Sequence, residues 1–192
     1  TAFKSAYYMH FRHLYNNTEK FNINLPFHTA IFYFIREYCY ASMFRYNKQG
    51  KFNVPYGGMS YNRKDFAKKI DYLKSPELVH HLQKTKIYNL DFEDFFETIN
   101  INKDDFIFLD PPYDSEFSDY AGMSFTSNDQ VRLANYLYNT EAKFMLVIKN
   151  TGLIRELYLN RGFNILAFDK KYLVSFQNRN DRATEHLLIT NY

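Results

Sequence analysis

The 192-residue sequence has no tryptophan, one cysteine, five prolines and six glycines, and each scarcity removes a class of function. A lone Cys39 can neither close an internal disulfide nor supply the paired thiols of a zinc site, so a disulfide-held secreted domain is excluded and a reducing, cytoplasmic setting is the simple expectation. Glycines 50, 57, 58, 122, 152 and 162 never fall in a Gly-x-Gly spacing, and no phosphate-cradling P-loop occurs. The longest apolar run near the amino end, Thr29 to Phe34, is far short of the roughly 20 residues of a membrane span. Residues 1–20 carry no signal-peptide apolar region either. His10 with His13, and His80 with His81, lack a third ligand at a useful spacing, so no metal is expected. Ser118 and Ser124 stand in no nucleophile-elbow pattern, which leaves hydrolase chemistry without support.

Aromatic residues are abundant, with 20 Phe and 18 Tyr. With 46% hydrophobic and 23% charged residues, the chain has enough apolar surface for one domain, or for a domain and a small appendage, and disorder is excluded. The net charge of +3 hides a segregation. Residues 1–44 carry +2, residues 45–86 carry +7, residues 87–130 carry −10 and residues 131–192 carry +4. A +7 segment in a near-neutral protein suits phosphate, because each neutralised phosphate releases counterions. The −10 segment repels nucleic acid but suits a small cationic ligand.

Apolar residues recur at three- and four-residue spacing over Phe3–Tyr15 and Thr29–Phe44, which predicts two helices joined by a polar turn, with Pro26 near the start of the second. Residues 48–58, rich in Gly, Pro and Asn, predict a hairpin or ordered loop. Helical spacing returns at Arg63–Lys74 and Pro76–Lys84. From there short apolar runs at Lys86–Leu90, Asp105–Leu109 and Lys143–Lys149 alternate with helical patterns at Asp91–Glu97, Asn128–Asn139 and Gly152–Asn160. Such alternation predicts an α/β fold with a parallel sheet. The last runs, Asn164–Val174 and Glu185–Thr190, have no helix between them and should pair antiparallel.

The segment richest in chemistry is Phe106-Ile107-Phe108-Leu109-Asp110-Pro111-Pro112-Tyr113. An apolar strand leads straight into a carboxylate and two prolines, so the chain turns at the carboxyl edge of the sheet, where open α/β sheets bind ligands. The prolines fix φ and lack N–H groups, which presents Asp110 and the adjoining carbonyls rigidly. A carboxylate, a free carbonyl and the flat ring of Tyr113 together suit an amino group on a planar heterocycle.

A strand ending in Asp-Pro-Pro-Tyr resembles the amino-group methyltransferases that use S-adenosylmethionine, and other segments narrow the resemblance to the Dam-like, D12 class adenine-N6 DNA methyltransferases. The run from Phe44 to Gly57 is similar to the segment that precedes this family's target-recognition region, Asp91-Phe92 to its pair near the cofactor adenine, and Asn150 with Glu156-Leu157-Tyr158 to a later block. The resemblance implies a Rossmann-like sheet with an antiparallel last strand and a small, mainly helical recognition insertion. It divides the chain into a helical part of the catalytic domain at 1–44, the insertion at 45–85 and the rest of the catalytic domain at 86–192. It implies catalytic roles for Asp110, Pro111, Pro112 and Tyr113, and S-adenosylmethionine contacts from Asp91, Phe92 and Asp110. Contacts to double-stranded DNA are expected from Arg45, Asn47, Lys51, Asn53, Tyr56, Arg63 and Lys64, with Arg179 and Arg182 as further candidates before the last strand. Asp-Pro-Pro-Tyr alone does not separate adenine in DNA from cytosine or RNA; the Phe52–Gly57 match favours adenine in a short duplex site, of the GATC type at family level.

The family's glycine-rich methionine-binding motif and first strands have no counterpart in residues 1–25. The chain is therefore expected to be the carboxyl-terminal two-thirds of such an enzyme. Two readings stay open: an adenine methyltransferase, or a DNA-binding remnant or split subunit that needs a complementary amino-terminal polypeptide.

Overall fold

In a computed structural model, the chain divides into two compact units, Thr1–Ile87 and Tyr88–Tyr192. The structure describes residues 2–113, 119–120, 123–171 and 183–192. Among these, no helix is long and apolar enough to cross a membrane, and seven α-helices and a four-stranded open sheet are present.

The first unit is built on α1 (Ala2–Tyr15) and α2 (Leu25–Tyr38), which pack together. Asn24 caps α2 by accepting a hydrogen bond from the Phe27 amide at 3.0 Å, and Pro26 sits in its first turn, where its missing N–H costs nothing. Tyr8, Ile31, Ile35, Tyr38, Cys39, Phe52 and Val54 form the core. Residues on both sides of position 44 thus share one apolar cluster, each buried side chain contributing about 1.5–3 kcal/mol. Helices α3 (Phe66–Leu73) and α4 (Pro76–Gln83) follow, capped by Asp65 and Ser75.

Helix α2 stops six residues before the expected Phe44. The cause is distant in sequence: the Tyr40 amide donates to the Pro55 carbonyl and the Gly57 amide to the Tyr38 carbonyl, both at 2.9 Å, so the chain leaves the helix to pair with 55–57. Ala41 and Ser42 then both take φ of +52°, a left-handed conformation that costs an L-residue roughly 1–2 kcal/mol. Ser42→Gly should therefore stabilise this unit by about 0.5–1 kcal/mol after the entropic cost of glycine. The check is the denaturant midpoint, and an unchanged or lower midpoint would refute the strain.

In the second unit, β1 (Phe106–Leu109) runs parallel to β4 (Lys143–Lys149), and β6 (Ala183–Thr190) lies antiparallel between β4 and β5 (Asn164–Lys171), giving the order β1-β4-β6-β5. The expected antiparallel pairing of the last two strands is observed, from Asn164 opposite Thr190 to Lys171 opposite Ala183. A short antiparallel pair, β2 (Asp119–Tyr120) and β3 (Met123–Ser124), precedes α6 (Ser127–Asn139). Along β4 alternate residues Phe144, Leu146 and Ile148 are buried, as a period of two requires. They pack in one core with Leu133, Ala134 and Leu137 of α6, Phe96 of α5 (Phe92–Ile99), and Ile154 and Tyr158 of α7 (Gly152–Tyr158).

Residues 86–90 are not a strand. Lys86, Ile87, Tyr88, Asn89 and Leu90 form an exposed connection; their apolar side chains mimic a buried run, but no strand lies alongside them among the described residues.

Candidate active site

The turn after β1 lies where the sequence puts it. Ile107 faces the core while Asp110, one residue past the strand, is exposed. Pro111, Pro112 and Tyr113 are half-buried. The Tyr113 ring meets the buried His186 ring edge-on, with centroids 5.2 Å apart, and His186 in turn lies 5.7 Å from Phe168. A hydrogen bond ties this turn to the helix layer: Gln130 Nε2 donates to the Pro112 carbonyl at 2.8 Å. Gln130 is fully buried, and its Oε1 has no partner among the described residues. An unpaired buried acceptor costs about 1–3 kcal/mol.

Asp91 and Phe92 open α5. Asp91 Oδ1 accepts from the Glu93 amide at 3.0 Å as the helix cap, which gives the carboxylate its local orientation. The same oxygen takes Arg132 Nη2 at 2.7 Å. Arg132 also binds Glu93 Oε2 through Nε at 2.9 Å and Asp129 Oδ1 through Nη1 at 2.7 Å, and its guanidinium carbon stands 4.8 Å from the centre of the Phe92 ring. Three carboxylates against one guanidinium leave this corner net negative. Asp129 is held below the usual carboxylate range, first by hydrogen bonds from the Thr126 hydroxyl and amide and then by Arg132. The three carboxylates push the Arg132 guanidinium still higher than its ordinary value, with Glu93 contributing most.

Sequence reasoning alone misses Gln130 and Arg132. A signal for Gln130 is nevertheless present: residues 130, 133, 134 and 137 form the buried stripe of α6, and a glutamine on an apolar stripe at helical spacing needs a partner.

In the first unit the basic segment forms a hairpin from Arg45 to Asn53, bridged between Tyr46 and Phe52. Asn47 Oδ1 accepts from the amides of Gln49 and Lys51 at 3.0 and 2.9 Å, and Gly50 at φ +70° completes the turn. Side chains on successive turns of α1 hold its second strand. Tyr8 Oη and Arg12 Nη1 donate to the Val54 carbonyl at 2.8 and 3.0 Å, while Asn16, just past the helix end, exchanges two hydrogen bonds with the Phe52 peptide at 2.8 and 2.9 Å. Burial raises the Tyr8 phenol far above its ordinary range and keeps it a donor.

The expected DNA-contacting residues fall into two groups. Arg45, Lys51 and Arg63 are exposed, Arg45 with its Nε 3.2 Å from Asn53 Oδ1. Asn47, Asn53 and Tyr56 are half-buried and hold the loop together, Tyr56 Oη donating to Asn62 Oδ1. Lys64 belongs with the second group: its ammonium binds the Glu37 carbonyl at 2.6 Å and carboxylate at 3.1 Å, 4.2 Å from the Tyr61 ring centre. Glu37 also takes Lys69, and although burial raises its carboxyl, the hydrogen bonds from Lys69 and Lys64 bring it below the usual carboxylate range. Arg179 and Arg182 lie outside the described residues. Among the described residues no cluster of His, Cys, Asp and Glu could hold a metal ion.

Similarity to known proteins covers both units. The chain is 41% identical over 165 residues to the type II methyltransferase M.CviBI of Paramecium bursaria Chlorella virus NC1A, covering 84% of this chain and 60% of that protein. It is 34% identical over 174 residues to the type II methyltransferase M.MjaIII of Methanocaldococcus jannaschii, covering 85% and 57%. It is 32% identical over 153 residues to the retron Ec67 DNA adenine methylase of Escherichia coli, covering 76% and 51%. The chain thus spans between half and three-fifths of the length of these relatives. Residues 2–174 match the family described as D12 class N6 adenine-specific DNA methyltransferase, whose members generally depend on S-adenosylmethionine, and it is to this family that the chain belongs.

Proposed function

We propose that the protein transfers a methyl group from S-adenosylmethionine to N6 of an adenine flipped out of a short, specific duplex sequence. The observation that carries this reading is the rigid Asp110-Pro111-Pro112-Tyr113 turn at the carboxyl end of β1, held by Gln130 against α6. An adenine inside a duplex cannot present N6, so it must leave the stack at a cost of a few kcal/mol. Tyr113 would stack on the extruded ring. Asp110 and the Pro111 carbonyl would accept its two N6 hydrogens, turning the nitrogen lone pair outward and favouring the positive charge that develops there. The new N–C bond would form as the methyl's bond to sulfur breaks, the electron pair staying on a neutral sulfide, and one N6 proton would pass by way of Asp110 to solvent.

The donor set fits the cofactor. Asp91 offers a carboxylate and Phe92 an aromatic ring, in a corner whose net negative charge suits a sulfonium, and Asp110, in the turn after β1, would offer a second carboxylate. When bound, S-adenosylmethionine supplies an electrophilic methyl carbon. Alignment of the acceptor does the remaining work.

The first unit would hold the DNA, with Arg45, Lys51 and Arg63 on phosphates and the hairpin in the major groove. The four-stranded sheet would be one side of a Rossmann-like sheet, which β1, paired on one side only among the described residues, leaves open to further strands. A second reading rests on the glycines, none of which stands in Gly-x-Gly: the chain would be a subunit that gains its cofactor site from a complementary amino-terminal polypeptide.

Calorimetric titration of S-adenosylmethionine separates the two. Heat from the chain alone supports the self-sufficient enzyme, and heat only after an amino-terminal fragment is added supports the split one. No binding in either case, with no methyl transfer to adenine-containing duplex, refutes the function.

A further inference from the structure

Two residues of α6 that stand two positions apart reach opposite halves of the proposed reaction. Successive helical residues turn by about 100°, so Gln130 and Arg132 point to nearly opposite sides. Gln130 goes inward, fully buried, to the Pro112 carbonyl of the methyl-accepting turn. Arg132, with 36% of its side chain exposed, goes outward to Asp91 and lies over Phe92. The helix that carries both is fixed at its start by a reciprocal cap, Thr126 with Asp129, and Asp129 also holds Arg132 at 2.7 Å.

We infer that the first two turns of α6 set the acceptor and donor sides of the site relative to each other, Gln130 positioning Asp110–Tyr113 and Arg132 positioning Asp91 and Phe92. The inference rests on the methyltransferase reading. Neither residue need touch a substrate.

The fold alone does not ask for either side chain. A leucine or methionine at 130 would continue the apolar stripe of Leu133, Ala134 and Leu137 and remove an Oε1 that has no partner among the described residues. Among the described residues, the bond that the Gln130 side-chain amide makes is to the turn that bears the chemistry. Without Arg132, Asp91, Glu93 and Asp129 would face one another with no cation between them. Asp91 would keep its cap bond to Glu93, but nothing would then tie its carboxylate to α6.

The test uses the full-length protein, with S-adenosylmethionine and its neutral sulfide product S-adenosylhomocysteine as probes. Arg132→Ala should weaken both by about tenfold, while single-turnover methylation at saturating cofactor changes little. The pairing of probes matters because removing a positive charge by itself would favour the cationic sulfonium and leave the sulfide alone. Arg132→Lys should recover only part of the affinity, since a point charge cannot bridge three carboxylates in the plane of a fork. Gln130→Leu should leave both affinities and duplex binding unchanged, yet slow the single turnover by roughly ten- to a hundredfold, as displacement of a reacting group does. Its unfolding midpoint should hold or rise. Gln130→Met, closer in shape, should show the same split and serves if the leucine variant does not fold.

Unchanged affinity for the sulfide in Arg132→Ala, or a gain for the sulfonium only, overturns the donor half. A full single-turnover rate in Gln130→Leu and Gln130→Met, or a fall explained by weaker cofactor binding, overturns the acceptor half. If the parent protein, alone and with an amino-terminal fragment added, binds neither probe and methylates no duplex, the methyltransferase reading itself fails; a parent that binds and methylates in either form, with variants equal to it, removes this inference alone.

Discussion

Replacing Asp110 by alanine should reduce methyl transfer to adenine-containing duplex by at least about a thousandfold, with duplex affinity nearly intact. One preorganised charge-stabilising group is worth roughly 10²–10³ in rate, and Asp110 would also orient the lone pair, a second contribution of the alignment kind. Asp110 is exposed and one residue beyond β1, so truncation opens no core cavity and the loss would not be a folding defect. Asp110→Asn sharpens the test. It preserves shape and one accepting oxygen but removes the negative charge that favours the developing cation and the group that takes the N6 proton, so it should still fall by roughly 10²–10³. Single-turnover assays at saturating cofactor and DNA measure the effect, and activity within tenfold of the parent in either variant would remove Asp110 from the chemistry.

That turn is legible in the sequence because everything that makes it is local. Four apolar residues, a carboxylate and two prolines in succession dictate strand, exit and rigidity without help from distant parts of the chain. The same holds for α1, α3, α4 and the paired last strands, where periodicity and nearby capping residues suffice. Features decided by long-range contacts are not legible in this way. Helix α2 ends early because residues 55–57 capture the backbone at 38–40, and Lys64 is tied to Glu37, 27 residues away. Residues 86–90 have the composition of a strand but no neighbour to pair with among the described residues, and β-propensity without a partner makes no strand. In the sequence Arg132 is the one basic residue of α6, with only Asp129 charged beside it and nothing to name its other partners; only the fold, by bringing α5 alongside, sets Asp91 and Glu93 beside it.

The pairing of Lys64 with Glu37 also bears on the proposed contact between the +7 segment and DNA. Changing Arg45, Lys51 and Arg63 together to alanine should weaken binding to every duplex by similar factors, because side chains on phosphates carry no sequence information. The slope of log affinity against log salt should become shallower by up to roughly 0.9 for each phosphate no longer neutralised, about 2.7 for three. Over a change from about 50 to 200 mM salt, three such side chains account for roughly fortyfold in affinity. Lys64→Ala should behave differently. Its ammonium already neutralises Glu37 and lies by the Tyr61 ring, so its removal should leave the salt slope alone and lower the unfolding midpoint of the first unit. Fluorescence anisotropy titrations on two unrelated duplexes across a series of salt concentrations read the slope, and denaturant unfolding reads the midpoint. A triple variant with an unchanged slope would make these three exposed side chains part of an ordinary solvated surface. A Lys64 variant that alone flattens the slope would mean that DNA draws the ammonium away from Glu37, and that the ion pair closes only when phosphate is absent.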